Sequence, residues 1–221
     1  MSQTPMKAMR RDAAQNRQRL IDAAGEAFAE HGLHVAVEQI AQQADVGMGT
    51  LYRHFPTKQA LIDELVGAIR RQLLALAEQA AERPDGQGLA ALMYAAGELQ
   101  AARSGCLAQL WNTSQAELSA VTEFRRIVAE QLALAKQHGL ARDEITPTDI
   151  SLAMWSLRGV IEMTHSGAPL AWRRYLEVHI AGLRPVDQAL TERPLSEARY
   201  RRIVLTGRRS PSGVPPAARS S

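Results

Sequence analysis

The sequence predicts an all-α protein with a small N-terminal helical domain followed by a larger helical domain. Ala, Leu, Gln, Arg and Glu, all good helix formers, are abundant, whereas aromatic residues make up only 5% of the 221 residues. Apolar residues recur every three to four positions through most of the chain, which is the spacing of one face of an α-helix. Hydrophobic residues amount to 46%, which is enough for a substantial core.

The chain begins with a basic segment that leads into the first helix. Residues 1–20 carry five basic side chains against one acidic side chain, and residues 1–11 are polar enough to be a flexible arm. Such an arm either contacts a polyanion such as nucleic acid or only keeps the chain soluble. From Asp12 the apolar positions follow helical spacing as far as Gly32, and a glycine suits a helix end. The basic residues of the arm are Lys7, Arg10 and Arg11.

The next stretch, residues 35–58, is predicted to form two short helices joined by a tight turn, followed by the start of another helix. Residues 45–47 (DVG) suit the turn, because aspartate and glycine tolerate turn conformations. The second short helix carries Leu51 and Phe55 on its inner side, and Pro56 ends it. This is the helix-turn-helix arrangement, whose second helix enters the major groove of DNA.

The motif also carries a family resemblance. The run GTLYRHF at residues 49–55, followed by Lys58 and by residues 60–61 (AL), resembles the signature of the TetR family of transcriptional regulators. The resemblance covers about residues 15–66 and implies that residues 12–57 form a DNA-binding domain. It also implies a homodimer that presents two recognition helices, ~34–36 Å apart, to a near-palindromic operator in double-stranded DNA.

The residues expected to contact DNA follow from this resemblance. Those expected near the phosphate backbone are Thr50, Tyr52, His54 and Lys58. Those placed to reach base edges are Gly47, Met48 and Arg53, and arginine is the natural reader of guanine. Packing on the bundle remains an alternative role for Tyr52 and Met48. The expected set is completed by Ala36, Gly49 and Thr57. Ala36 and Gly47 depart from the family pattern, which commonly has Ser or Thr at the first position and Ser at the second.

The larger domain, residues 58–190, is predicted to start with a long helix at Lys58 that connects the two domains. This helix ends before residues 83–88, where proline and glycine mark a loop. Further helices are expected at residues 89–103, 106–111, 118–138, 147–166 and 170–183. Residues 191–221 are predicted to be a basic, mostly disordered tail, apart from a short helix at residues 194–205.

The resemblance implies an effector pocket in the larger domain without identifying its residues. Methionine and tryptophan side chains on neighbouring helices suit an apolar ligand, although ordinary core packing is the alternative for each of them. The candidates are Met93, Leu110, Trp111, Phe124, Met154, Trp155 and Met163.

The resemblance also places the dimer contact on two helices of the larger domain. Residues 147–166 and 169–183 of each subunit would pack as a four-helix arrangement. The candidate interface residues are Ile150, Met154, Leu157, Ile161, Trp172, Leu176 and Ile180.

Several classes of site are not indicated by the sequence. The single cysteine, Cys106, excludes an intrachain disulfide and fits a reducing cytoplasm. No apolar run approaches the ~20 residues of a membrane helix. His31 and His34 lack a convincing third metal ligand, and no acid–base pair or nucleophile constellation is visible. We therefore expect no metal, no cofactor, no membrane partner and no enzymatic activity.

The pattern as a whole predicts a cytoplasmic, homodimeric DNA-binding regulator. The resemblance favours a repressor that a small hydrophobic effector releases from its operator. One alternative is an activator or architectural DNA-binding protein without an effector. Another is a helical ligand-binding protein or enzyme that kept the fold.

Overall fold

The computed structural model describes residues 4–104 and 118–206, and all regular structure in these two ranges is α-helical. The prediction of an all-α protein is therefore confirmed. The helices in chain order are α1 (Thr4–His31), α2 (Val37–Gln43), α3 (Met48–His54), α4 (Lys58–Ala81), α5 (Gly88–Ala102), α6 (Leu118–Gln137), α7 (Pro147–Thr164), α8 (Ala171–Gly182) and α9 (Glu197–Thr206). Three features predicted from the sequence lie outside the described residues: the helix at residues 106–111, Cys106, and the tail beyond residue 206.

Helices α1, α2 and α3 form a small bundle around apolar side chains. Its large buried side chains include Leu20, Phe28, Ile40, Leu51 and Phe55. The turn between α2 and α3 passes through Asp45, whose φ of 51° is left-handed and is tolerated by aspartate better than by most residues. The guanidinium of Arg19 on α1 donates a hydrogen bond to the Asp45 carbonyl oxygen at 3.0 Å. Helix α1 therefore supports the turn that orients α3.

Helix α1 begins at Thr4 and not at Asp12 as expected, so residues 4–11 are helical and do not form an irregular arm. The intervening residues are Met, Lys, Ala and Arg, which have high helix propensity. Pro5 lies in the first turn, where its missing N–H costs nothing. The expectation of a flexible arm overlooked this propensity because it relied on the absence of an apolar face.

Helix α4 belongs to both halves of the molecule. Its N-terminal half packs on α1, and its length also packs on α5 and α6. Thr57 caps it by accepting a hydrogen bond from the Ala60 backbone N–H at 3.1 Å, as the sequence predicts. In its N-terminal half, the carboxylate of Glu64 forms an ion pair with Arg17 of α1 at 2.7 Å. The same carboxylate pairs with Arg71, seven residues further along α4, at 3.1 Å.

Helices α5 to α8 pack around a second apolar core that is continuous with the first. Helix α7 starts with a capping box, in which Thr146 and Asp149 satisfy each other's backbone N–H groups, and Pro147 follows the cap. This start agrees with the one predicted from Thr146 and Pro147. Trp172 of α8 is buried against Gly97 of α5, which holds the two helices close together.

The chain beyond residue 190 contributes to the larger domain. Residues 184–196 are irregular and mostly exposed, and helix α9 follows close to the predicted place. Tyr200 of α9 is only 5% exposed, although residues 191–221 were expected to be a mostly disordered tail. The aromatic ring of Tyr200 explains the difference, because it packs against Trp155 and Arg125 of the domain.

Candidate nucleic-acid interface and ligand cavity

Helix α3 presents one face to solvent while its other face anchors it in the bundle. Leu51, within α3, is 1% exposed and Phe55, which follows it, is 2% exposed. On the outer side, a Cβ atom added to Gly47 or Gly49 would meet no heavy atom within 4 Å. Tyr52 is 46% exposed, which is unusual for so large an apolar ring. The outer face of α3 is therefore open enough for another backbone to approach closely.

The remaining predicted residues of α3 lie at the edge of this face. Arg53 is exposed, whereas Met48 and Thr50 are half-buried, and Met48 also packs against the core. His54 is half-buried beside Phe55, with ring centroids 6.3 Å apart. Partial burial, followed by the charges of Arg53 and Arg17, lowers the pKa of His54 below its ordinary value.

Three predicted residues lie at the ends of neighbouring helices. The Lys58 ammonium donates a hydrogen bond to the Val35 carbonyl oxygen at 2.6 Å and lies 5.9 Å from the centre of the Phe28 ring. Lys58 thus ties the start of α4 to the entry of α2, a role that the sequence did not indicate. Thr57 uses its hydroxyl as the cap of α4. Ala36 is exposed at the N-cap of α2 and makes no side-chain cap bond.

Two arginines that position α3 were counted in the sequence only as charges of the basic segment. Arg19 holds the Asp45 turn, and Arg17 lies over the Phe55 ring at 5.3 Å while it pairs with Glu64. Arg19 is 26 residues from Asp45 in the chain, and no local pattern marks such a contact. Of the arm candidates, Lys7, Arg10 and Arg11 all lie in the first turns of α1, and Arg11 is exposed.

A small apolar cavity lies between α5, α6 and α7. Its volume is about 60 Å³, which is room for only a few water molecules. The lining residues from the three helices include the predicted Met93, Phe124 and Met154. Met163 is 84% exposed and does not line it, so that assignment was wrong: its position on α7 points away from the core. Leu110 and Trp111 lie outside the described residues.

A polar cluster that the sequence did not indicate closes one end of this cavity. The Arg125 guanidinium donates hydrogen bonds to the Ser151 hydroxyl at 2.8 Å and to the Glu197 carboxylate at 2.6 Å. It also lies 4.0 Å from the centre of the Tyr200 ring. Trp155 does not line the cavity; it stacks on the Tyr200 ring, with centroids 5.1 Å apart and planes 20° apart.

The residues predicted for the dimer interface lie mainly in the chain's own core. Within one chain, the exposed fraction is 0% for Leu157 and 1% for Leu176. The same holds for four further candidates, each at most 8% exposed: Ile150, Met154, Ile161 and Trp172. Only Ile180 keeps partial exposure. The assignment was wrong for the six buried residues, because side chains enclosed within one chain have no surface to offer a partner.

The opposite faces of α7 and α8 carry exposed apolar side chains. Met163 of α7 and Val178 of α8 are 84% and 57% exposed, and Leu152 is 38% exposed. Gly159 and Gly182 lie on the same sides at helical spacing, with open space where a Cβ would be. The Ser156 and Tyr175 hydroxyls, 2.7 Å apart, join the two helices across this surface. We call this surface the outer α7–α8 face.

The described part of the chain contains no cluster of His, Cys, Asp or Glu suited to hold a metal ion. In the same residues, no helix is long and apolar enough to cross a membrane.

Comparison with known proteins relates the N-terminal helical bundle of the chain to DNA-binding regulators. The model of the family "Bacterial regulatory proteins, tetR family" matches residues 20–65. An HTH-type transcriptional regulator of Staphylococcus aureus (strain USA300) is 46% identical over 54 residues. That match covers 24% of this chain and 29% of the relative, so the chain spans less than a third of the length of the curated relatives it matches.

Solved structures extend the likeness to most of the chain. A TetR transcription regulatory protein from Mycobacterium vanbaalenii is 30% identical, with a TM-score of 0.59 over 80% of this chain and 99% of that protein. The TetR regulator SCO0520 from Streptomyces coelicolor is 26% identical, with a TM-score of 0.60 over 77% and 99%. LfrR from Mycobacterium smegmatis, in complex with proflavine, shares the fold at 19% identity, with a TM-score of 0.59 over 80% and 98%. The names of these relatives agree with the expectation that the chain is not an enzyme.

Proposed function

The chain belongs to the TetR family of bacterial regulatory proteins, and from this premise we propose that it is a homodimeric transcriptional repressor that binds operator DNA. A small effector would release it. The observation that carries the proposal is the outer face of α3, where Gly47 and Gly49 leave open space beside an exposed tyrosine and arginine. Such a repressor would act in the cytoplasm, where it reaches its operator.

The outer face of α3 would make two kinds of contact with DNA: contacts to phosphates that position the protein, and contacts to bases that read the sequence. The two glycines allow the phosphate backbone to come close to the start of α3, where backbone N–H groups favour an anion. The exposed hydroxyl of Tyr52 can donate to a phosphate, and the exposed Arg53 can make two parallel hydrogen bonds to guanine.

The first experiment identifies the operator and then tests these two roles. Genomic fragments retained by the purified protein are sequenced, beginning with the promoter of its own gene. Tyr52→Phe should weaken binding to the operator and to random DNA alike, whereas Arg53→Gln should lose about 1–3 kcal/mol of discrimination at one base pair. Arg83→Gln changes another exposed arginine, just beyond the far end of α4, and serves as the control. Operator affinity unchanged in both α3 variants would remove α3 as the reading element.

The homodimer would form through the outer α7–α8 face. Exposed apolar side chains such as Met163 and Val178 need a cover, and the open positions at Gly159 and Gly182 allow helices of a second copy to approach closely. A second copy fits because the two-fold axis of a dimer would bring α7 and α8 of each chain together as four packed helices. The dimer would also set the spacing of the two α3 helices.

A pair of valines tests this face. Val178→Arg places a charge in the proposed interface and should give monomers, because an unpaired buried charge is costly. Val186→Arg changes a valine of nearly the same exposure, 59% against 57%, just beyond α8 and should leave the dimer intact. Analytical ultracentrifugation measures both. A dimer in the Val178 variant, or monomers in both, would contradict the proposed interface.

The effector would act through the cavity between α5, α6 and α7. The dimer would have two conformations that differ in the spacing of the two DNA-binding bundles, and only one spacing would fit the operator. A ligand that binds the other conformation better lowers operator affinity by linkage. Helix α4 is the natural connection, because it packs on α1 at one side and on the cavity helices α5 and α6 at the other. The cavity of about 60 Å³ is far below the about 300–1,000 Å³ of typical ligand pockets, so binding requires the site to open.

A further inference from the structure

Helix α9 occupies the polar end of the cavity in the way that a ligand would. Its residues Glu197 and Tyr200 lie one helical turn apart and point to the same place. The Glu197 carboxylate accepts a hydrogen bond from Arg125, and the Tyr200 ring lies between the Trp155 ring and the Arg125 guanidinium. An anion and a flat ring are thus supplied by the chain itself.

The receiving site is built from groups of the larger domain. The Arg125 side chain is 17% exposed, and its other hydrogen bond goes to the Ser151 hydroxyl at 2.8 Å. Arg125 and Tyr200 line both the small apolar cavity and a neighbouring open groove of about 560 Å³. If the Tyr200 ring moved away, the cavity and the groove would join into one space of the size that small-molecule sites usually have.

Within the part of the chain that the structure describes, a single buried side chain anchors α9 to the domain. Tyr200 is its only buried side chain among the described residues 197–204. The segment before it, residues 184–196, is mostly exposed, and the Thr148 hydroxyl donates to the Leu195 carbonyl oxygen at 2.8 Å. Elements with so few buried apolar contacts open at low free-energy cost. Helix α9 can therefore leave the site without disturbing the core helices.

We propose that this site takes an aromatic carboxylic acid, whose ring replaces Tyr200 against Trp155 and whose carboxylate replaces Glu197 at Arg125. The proposal rests on the proposed effector-responsive function, since it names the chemical class of the effector. A carboxylate suits a guanidinium because two parallel charge-assisted hydrogen bonds can form. A planar ring suits the space between an indole and a guanidinium, since both stack on π-systems. Helix α9 then acts as an internal competitor that the effector displaces.

The test uses 2-naphthoate as the probe and the neutral 2-naphthamide as its matched control. The full-length double variant Glu197→Gln/Tyr200→Ala removes the internal anion and ring. It should bind 2-naphthoate at least about tenfold more tightly than the wild type, because the competitor is gone. The control variant Glu192→Gln/Ile203→Ala also removes one carboxylate and one large apolar side chain, but at two exposed positions near the site. It should bind 2-naphthoate like the wild type. Isothermal titration calorimetry measures the affinities, and circular dichroism confirms that each variant is folded.

The role of the guanidinium is tested in the double-variant background. The double variant should prefer 2-naphthoate to 2-naphthamide by at least about tenfold, as expected for a charge-assisted hydrogen bond. Adding Arg125→Gln should abolish that preference, and adding Arg125→Lys, which keeps the charge on a flexible stem, should retain part of it. Equal affinity for 2-naphthoate in the wild type and the double variant would overturn the proposal, as would equal affinity for acid and amide.

Operator binding is measured separately, so that the two proposals fail independently. Binding of 2-naphthoate with the predicted preferences, but without any change in operator affinity, would support the site and contradict effector release. The opposite result is release from the operator by some other molecule, with no binding of 2-naphthoate to the double variant. That result would support the proposed repressor and overturn the proposed site for an aromatic carboxylic acid.

Discussion

Replacement of Gly97 by alanine tests whether α8 packs into its own subunit as described. Gly97 lies inside α5, and a Cβ atom there would lie 2.6 Å from the Trp172 ring and 3.2 Å from a Leu157 methyl carbon. Both neighbours are at most 2% exposed, so neither can move aside into solvent. Overpacking of this kind costs about 1–3 kcal/mol, whereas alanine inside a helix is more stable than glycine by about 0.5–1 kcal/mol. Gly97→Ala should therefore lower the free energy of unfolding by about 1 kcal/mol, the difference between the midpoints of these two ranges.

Gly67 of α4 provides the matched control. It also lies inside a helix, but the nearest atom to an added Cβ is the flexible end of Arg71, at 3.4 Å. Gly67→Ala should raise the free energy of unfolding by about 0.5–1 kcal/mol, because alanine has a higher helix propensity than glycine. Urea denaturation followed by circular dichroism, at a protein concentration fixed for all variants, measures both. If Gly97→Ala stabilises the protein as much as Gly67→Ala does, Trp172 does not pack on α5 as described.

Three further predictions concern the DNA-binding bundle. Ala36→Ser should raise the free energy of unfolding by about 1 kcal/mol in chemical denaturation, because the N-cap of α2 has extended backbone and no side-chain hydrogen bond. Lys58→Met should lower it by about 1 kcal/mol, since the bond to the Val35 carbonyl oxygen is lost, and a phosphate contact would show separately as a salt slope flatter by ~0.9 per half-site. Burial and neighbouring arginines lower the pKa of His54, and a DNA phosphate would raise it again toward the ordinary histidine value of about 6.5, so operator affinity should rise as the pH falls from about 7 to about 5.5. His54→Gln should flatten that pH profile in anisotropy titrations.

Local features of the fold were predictable because their causes lie within a few residues. The cap at Thr146, the turn at residues 45–47 and the glycine at position 32, with φ of 73°, each depend on neighbours in sequence. The exposed side of α3 was predictable for the same reason, since Leu51 and Phe55 fix its inner side. The family resemblance covers the same region.

The surface that we propose for the dimer was not predictable from periodicity. An apolar stripe on a helix shows that one side is buried, but it does not show whether the chain or a second copy buries it. Leu157 and Trp172 form such stripes and are enclosed by their own chain, whereas Met163, which breaks the stripe, is the exposed residue. The cluster at Arg125 was missed because its partner Glu197 is 72 residues away and arginine on a helix surface is usually solvated.

The proposed coupling between the cavity and the DNA-binding bundle would pass through contacts that differ in strength. The ion pair of Arg17 and Glu64 joins α1 to α4, but its side chains are 42% and 25% exposed, and such pairs contribute about 0–1 kcal/mol. By contrast, Arg103, at the end of α5, lies so close to Gly25 of α1 that an added methyl group would clash with its guanidinium. Helix α5 also lines the cavity through Met93. Allosteric coupling usually amounts to about 1–3 kcal/mol, which the exposed ion pair alone cannot supply.

We therefore expect Gly25→Ala to weaken the effect of the effector on operator affinity. Arg17→Gln should leave most of that effect in place. The measured quantity is the ratio of operator dissociation constants with and without a saturating effector. The methyl group at position 25 displaces the Arg103 guanidinium and so removes its contact with α1, and the ratio should therefore fall toward one. Operator affinity without effector is the internal control, because it shows whether the bundle still binds DNA. A ratio preserved in the Gly25 variant and lost in the Arg17 variant would assign the coupling to the ion pair and to α4 alone.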